Sequence, residues 1–178
     1  MHGQTMKSES EWRRMLTPEQ YRVTRQKGTE PPYSGRYHYF NKSGVYRCVC
    51  CGNDLFSSEA KFGAKSKWPV FWTPAGINSV STVTETFHLM VRNEVTCARC
   101  DAHLGYVFED GRPPTGLRYF INSAALMFVE MNEYRAISRD RWVLSDNGRP
   151  PRGNFLPEQQ DADPDAVHLL RPASAVQR

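Results

Sequence analysis

The chain has 178 residues and a mass of 20.4 kDa, room for one ordinary domain plus a tail. Apolar residues make up 39% and aromatics 12%, enough for a core, while a mean hydropathy of −0.62 points to polar segments that pack poorly. A formal charge of +4 permits contact with nucleic acid or acidic lipid without demanding it, and no apolar run approaches the roughly 18 residues of a membrane helix. Met1 to Trp12 has no secretory apolar stretch, and Glu9 and Glu11 sit badly in a transit peptide, so a reducing, cytoplasmic setting without membrane contact is expected, the nucleus not excluded.

In chain order, residues 1–10 read as a flexible N-terminus, and Glu11 to Leu16 as a short helix. Thr17 precedes Pro18, Glu19 and Gln20, which predicts a helix capped on Thr17, with Pro18 in its first position and Gln20 closing a capping box. Gly28, Pro31, Pro32 and Gly35 then impose a loop. Short strands follow at Gly44–Cys48, Asp54–Phe56, Val80–Thr84, His88–Thr96, Leu104–Phe108, Leu117–Asn122 and Leu126–Val129, separated by turns. With no long amphipathic helix between them, the middle of the chain is expected to be antiparallel β structure. Tyr134 to Leu144 forms an extra C-terminal element carrying Trp142. Residues 146–178 hold five of the twelve prolines and a single aromatic, Phe155, the composition of a disordered tail.

The five cysteines fall in two clusters, Cys48, Cys50, Cys51 and Cys97, Cys100. An odd, clustered set argues against an oxidised secreted framework. Cys48-x-x-Cys51 and Cys97-x-x-Cys100 share one spacing and are separated by 45 residues. Each pair suits a tight turn presenting two thiolates, and two such turns complete a closed four-thiolate zinc site that staples distant strands. The competing readings are a redox dithiol, which is normally single and opens a helix, and incidental buried thiols. The shared spacing leaves Cys50 as the spare thiol.

Several stretches resemble the type B methionine sulfoxide reductases. They are Leu16-Thr-Pro-Glu-Gln-Tyr, Gly28-Thr-Glu-Pro-Pro-Tyr, Cys48-x-x-Cys51-Gly52 through Leu55-Phe-Ser-Ser, Trp68-Pro-x-Phe, Arg92-x-Glu-Val, Cys97-x-x-Cys100, Ala102-His-Leu-Gly and Arg118-Tyr-x-Ile-Asn-Ser. They occur in the family's order over residues 11–131, about two thirds of the chain. The resemblance implies a mainly β fold of two antiparallel sheets, β-tent-like, with short N-terminal helices and a zinc staple opposite the active site. It also implies thiol-dependent reduction of methionine-R-sulfoxide in peptides or proteins. In that chemistry a thiolate attacks the sulfoxide sulfur and becomes a sulfenic acid, an acid protonates the departing oxygen, and an apolar wall holds the methyl group. A thioredoxin-type reductant or a second cysteine then regenerates the thiol.

Carried over by position, Trp68 matches the methyl wall and His103 the acid, with Asp110 as its orienting partner. Arg118 and Asn122 frame the pocket. The nucleophile's place, between Tyr119 and Ile121, holds Phe120, which has no ionisable group and no lone pair. Tyr106 replaces a second histidine, Lys65-Ser66-Lys67 a glycine-rich run, and Val70 a serine; Ser66 also stands where some members keep a resolving cysteine. The expectation is therefore a zinc-stapled member that binds a peptide, small molecule or protein partner without the usual turnover. One alternative is an active reductase recruiting Cys50 as nucleophile. Another is a nucleic-acid-binding zinc module, for which the basic residues are scattered rather than striped. The basic loop of Lys61, Lys65 and Lys67 reads as a solvated surface.

Overall fold

The computed structural model describes residues 7–63, 66–87, 90–111 and 113–144. The expected tail at 146–178, most of the N-terminal ten residues, Lys65 and the start of the predicted strand at His88 lie outside them.

Two short helices open the chain. The first, α1 (Glu9–Met15), begins two residues earlier than the sequence predicts, because Ser8 and Glu11 form a capping box of their own. In the second, α2 (Pro18–Arg25), Gln20 donates its backbone N–H to Thr17 Oγ1 and accepts from the Thr17 N–H, the box read from the sequence. Trp12, Leu16, Tyr21 and Val23 bury the inner faces of both helices.

Among the described residues nine strands follow: β1 (Gly44–Cys48), β2 (Asp54–Ser57), β3 (Lys61–Phe62), β4 (Val70–Phe71), β5 (Val80–Phe87), β6 (Met90–Cys97), β7 (His103–Phe108), β8 (Arg118–Ile121) and β9 (Leu126–Glu130). They form two antiparallel sheets, three strands in the order β2-β1-β9 and six in the order β3-β4-β8-β7-β6-β5. The expected fold class holds. The sequence reading missed β3 and β4, since a two-residue strand carries no alternation to detect. A helix, α3 (Met131–Leu144), follows β9 directly and is tied to β1 and β2: Tyr134 Oη donates to Asp54 Oδ2 at 2.7 Å, and Arg47 Nε donates to Asp54 Oδ1 at 2.8 Å.

The core lies between the sheets and is largely aromatic. Phe56 of β2 stacks on Phe71 of β4 with centroids 4.5 Å apart, and Tyr46 of β1 meets the same ring at 5.1 Å. All three are fully buried, so each contributes both its area and the favourable ring geometry. Along β8, Tyr119 and Ile121 point into this core, which by strand alternation turns Arg118 and Phe120 to the outer face.

Close approach of β7 and β8 depends on Gly105. A methyl group there would lie 1.9 Å from the Phe120 carbonyl oxygen. Gly105→Ala is therefore expected to cost about 2–3 kcal/mol, the upper range for overpacking, measured as a lowered urea midpoint with an unchanged slope. A midpoint within error of the parent would show that the two strands separate without penalty.

Candidate functional site

The two cysteine turns are built alike. Gly52 N–H donates to the Cys48 carbonyl at 2.8 Å and Asp101 N–H to the Cys97 carbonyl at 2.9 Å. The residue after each second cysteine is left-handed, Gly52 at φ 70° and Asp101 at φ 55°. The turns end β1 and β6 and bring four sulfurs together. Cys48 Sγ lies 3.7 Å from Cys100 Sγ, Cys51 Sγ lies 3.6 Å from Cys97 Sγ, and all four are within 4.8 Å of one another. A tetrahedral ion with metal–sulfur bonds of about 2.3 Å sets its sulfurs about 3.8 Å apart, so the four cysteines fit a metal ion. Asn53 Nδ2 also points an N–H at Cys97 Sγ from 3.7 Å, the kind of outer contact that orients a ligand. Cys50, 4% exposed, sits beneath α2 with its thiol toward Thr24 Oγ1 at 3.4 Å.

The second cluster surrounds His103, the first residue of β7. Its Nδ1 is 2.6 Å from Glu94 Oε1 on β6, and Lys27 Nζ donates to the other carboxylate oxygen at 2.7 Å. Lys27 also pairs with Glu85 on β5. It stands just past α2 in the left-handed region, at φ 55°, and so turns its ammonium back toward the sheet. Glu94 and His103 are 2% and 1% exposed. Burial alone would raise the Glu94 pKa, but the hydrogen bonds from Lys27 and His103 hold it below the usual carboxylate value. An ionised carboxylate only accepts, so His103 donates to it from Nδ1, leaving Nε2 as the ring's second polar atom. That Nε2 is buried without a hydrogen-bond partner among the described residues.

The sequence reading assigned the orienting role to Asp110, and the structure corrects it. The register Phe108↔Arg118 places Asp110 just beyond the ends of β7 and β8, beside Arg118. Arg118 Nε donates to Asp110 Oδ1 at 3.0 Å, and its Nη2 pairs with the other oxygen, a two-point grip. The partner of His103 is Glu94 instead.

Phe120 lies directly across from Tyr106 in the β7–β8 register. Its ring is covered from two sides. The Arg118 guanidinium sits 4.6 Å from its centroid, and the Phe108 ring meets it edge-on at 5.4 Å. Tyr106 touches the His103 ring at 5.4 Å, and Arg92 lies 5.8 Å above it. Asn122, although it follows the same alternation, is 3% exposed and used up internally: Oδ1 accepts from Glu30 N–H and Nδ2 donates to the Leu104 carbonyl, both at 2.9 Å. Trp68 Nε1 donates to the Glu30 carbonyl at 3.0 Å. The Glu30 side chain, 4% exposed, accepts from the N–H groups of Ser123 and Ala124 at 2.8 and 2.9 Å.

Glu30 therefore joins Trp68, Asn122 and the turn after β8, a role the sequence reading did not assign. Both Glu30 and Glu94 stand within the stretches quoted above, Gly28-Thr-Glu-Pro-Pro and Arg92-x-Glu-Val, and that placement was the available signal.

A SelR domain model matches residues 16–130. Over 116 residues the chain is 58% identical to the peptide methionine sulfoxide reductase MsrB of Thioalkalivibrio sulfidiphilus, spanning 65% of this chain and 85% of that protein. The chain belongs to the MsrB family. The MsrB of Hahella chejuensis is 53% identical over 122 residues, 68% of this chain and 88% of that protein. For the MsrB of Pseudomonas putida the identity is 54% over 120 residues, 67% and 92%. The matched span of this MsrB-family chain takes in both cysteine turns, His103 and the whole of β8, so Phe120 stands within the family's own domain. Among the described residues no helix is long and apolar enough to cross a membrane.

Proposed function

We propose that this MsrB-family domain binds its partner, a methionine-sulfoxide-bearing peptide or another ligand of the same pocket, without reducing it by the family's thiol route. One observation carries the reading: the outward position between Tyr119 and Ile121 is a phenyl ring, closed in by the Arg118 guanidinium and the Phe108 ring. Sulfoxide reduction by a thiol first needs a sulfur–sulfur contact, in which oxygen leaves the substrate and the enzyme sulfur is oxidised to sulfenic acid. Two reducing thiols then close to a disulfide and release the oxygen as water. Phe120 cannot begin that sequence. The remaining parts still suit recognition: Trp68 with its apolar face, Arg118 held by Asp110, Tyr106 as a hydroxyl donor, and His103 with a free Nε2 on a carboxylate-backed ring. Asn122 acts by holding the Glu30 loop.

Cys50 is a poor substitute nucleophile. It is 4% exposed and packed against Thr24 beside the metal turn, so a protein-borne sulfoxide would reach it only through local opening. The ion in the four-cysteine site is best supplied by zinc, because four soft thiolates in a closed tetrahedron suit it and leave no open coordination position. We place the protein in a reducing compartment, the cytoplasm, which the clustered cysteines without a disulfide support. The working unit is residues 11–131, with 132–145 as an appended element.

The deciding assay drives peptide and free methionine-R-sulfoxide with dithiothreitol and, separately, with a thioredoxin system. Product is expected at the rate of reductant alone. Phe120→Cys alone is expected to recover little, since Tyr106 and the Lys67 loop also differ from the family pattern. Protein-dependent turnover by the parent would overturn the reading, and its loss in Cys50→Ser would assign the chemistry to that thiol.

A further inference from the structure

A separate cavity of about 300 Å³ lies between the loop at residues 37–42 and the β2–β4 region, walled by Phe40, Phe62, Trp68, Tyr46, Lys61 and His38. Trp68 and Val70 line it, Val70 standing across from Phe120 in the β4–β8 register, while His103, Tyr106, Phe120 and Asn122 do not. Its walls mix aromatic rings with polar side chains, Asn41, Lys42, Ser58 and Lys61 among them.

Lys61 is partly buried and has no carboxylate partner among the described residues; its ammonium donates to the carbonyls of His38 at 3.1 Å and Phe40 at 2.5 Å. An ammonium has three protons, so one donor remains. Burial lowers its pKa, the mark of a cation missing a counter-charge. His38, 7% exposed, places Nε2 on the Ser66 carbonyl, which fixes the ring proton there, while Nδ1 is buried with no partner among the described residues. Native interiors seldom leave a donor unpaired, and Lys61 lines the cavity; the buried His38 Nδ1 is an acceptor and takes no part in holding an anion.

We propose that this cavity is a second ligand site, taking a small organic carboxylate whose charged end meets Lys61 and whose apolar or aromatic body lies on Phe40, Phe62 and Trp68. An anion supplies the charge that Lys61 lacks, and the enclosing rings supply contact area for a planar body. Binding of an anion there is decided separately from whether the domain reduces methionine sulfoxide.

Benzoate is the probe, with the isosteric neutral benzamide as comparator, each titrated into the whole protein by backbone and indole NMR shifts. Benzoate is expected to saturate with a Kd on the order of 1 mM, within reach of a ligand of about nine non-hydrogen atoms. The moving signals should be Lys61, Phe62, Gly63 and the Trp68 indole. Benzamide should bind at least about tenfold more weakly, the size of a lost charge-assisted hydrogen bond. Lys61→Met should weaken benzoate by a similar factor, whereas Ile77→Ala, on the exposed surface away from the cavity, should leave its affinity unchanged. Equal affinity for benzoate and benzamide on the parent protein, or shifts that stay linear up to about 20 mM, well past the expected Kd, would overturn the proposal whether or not Lys61→Met folds.

Discussion

Removing the metal from the four-cysteine site with a high-affinity chelator at neutral pH is expected to unfold the domain outright. The four ligands come from two turns separated by 45 residues, one ending β1 of the three-stranded sheet and the other ending β6 of the six-stranded sheet. An ion held there would cross-link the two sheets. Without it, thiolates held within 4.8 Å of one another must be protonated or repel. Structural four-thiolate sites contribute about 10–16 kcal/mol of coupled binding and folding, comparable with the entire 5–15 kcal/mol stability of a small domain. Circular dichroism should show loss of the β signal on chelation and recovery on adding zinc. Cys97→Ser should reproduce the loss, and elemental analysis of the native protein should find one zinc per chain. A chelated protein that keeps its melting transition within a few degrees would show that the core alone sustains the fold.

The second large effect is expected at Glu94. Replacing it with Gln keeps the shape but leaves one acceptor where Lys27 and His103 both donate. Lys27 is half-exposed and can turn to water while His103 is buried, so the cost is expected at about 1.5–3 kcal/mol, that of a hydrogen bond to a charged group. The pH dependence has a definite sign. Because the folded Glu94 pKa lies below the ordinary value, its contribution is complete above the unfolded pKa, near 4.3. It is lost as pH falls through the folded value. The parent should therefore lose stability more steeply than Glu94→Gln on descending from about pH 5 into the acid range, followed by urea midpoints at each pH. Identical acid limbs, or a midpoint change worth less than about 1 kcal/mol, an ordinary hydrogen bond's share, would remove Glu94 from this role. His103 should report the same event, since its ring loses the carboxylate to which Nδ1 donates.

Phe120 separates membership of the MsrB family from the thiol chemistry that the family resemblance implies. Identity of 53–58% to MsrB proteins extends across the whole domain, and the elements that build the scaffold are present: both cysteine turns, the capped α2 and the β7–β8 pair. The resemblance implies that Phe120, Tyr106, Ser66 and Val70 stand at positions of the family's reacting groups. On the proposed reading, Phe120 has a physical consequence beyond the absent sulfur. A phenyl ring gripped by Arg118 and Phe108 has apolar area and a quadrupole where a thiol would leave open volume, so restoring a cysteine also empties a packed position.

What could be read without coordinates was local. The Thr17 cap, the two cysteine turns and most strand positions depend on spacings within a few residues, where hydrogen-bond reach and side-chain alternation act directly. The absence of a thiol between Tyr119 and Ile121 is likewise a matter of covalent identity that no fold can alter. Pairing partners were not local. Glu94 rather than Asp110 orients His103 because β6 and β7 align Glu94 with Tyr106 and Thr96 with His103, while Arg118, two positions before Phe120 on β8, captures Asp110. Lys27, Glu30 and Asn122 meet the sheet from positions 67 to 93 residues away, distances over which one-dimensional periodicity carries no signal. The sequence alone established which chemical groups the protein possesses. Strand register and burial decided which of them touch, because a buried charge is stable only where the completed fold brings its counter-charge and donors within about 3 Å.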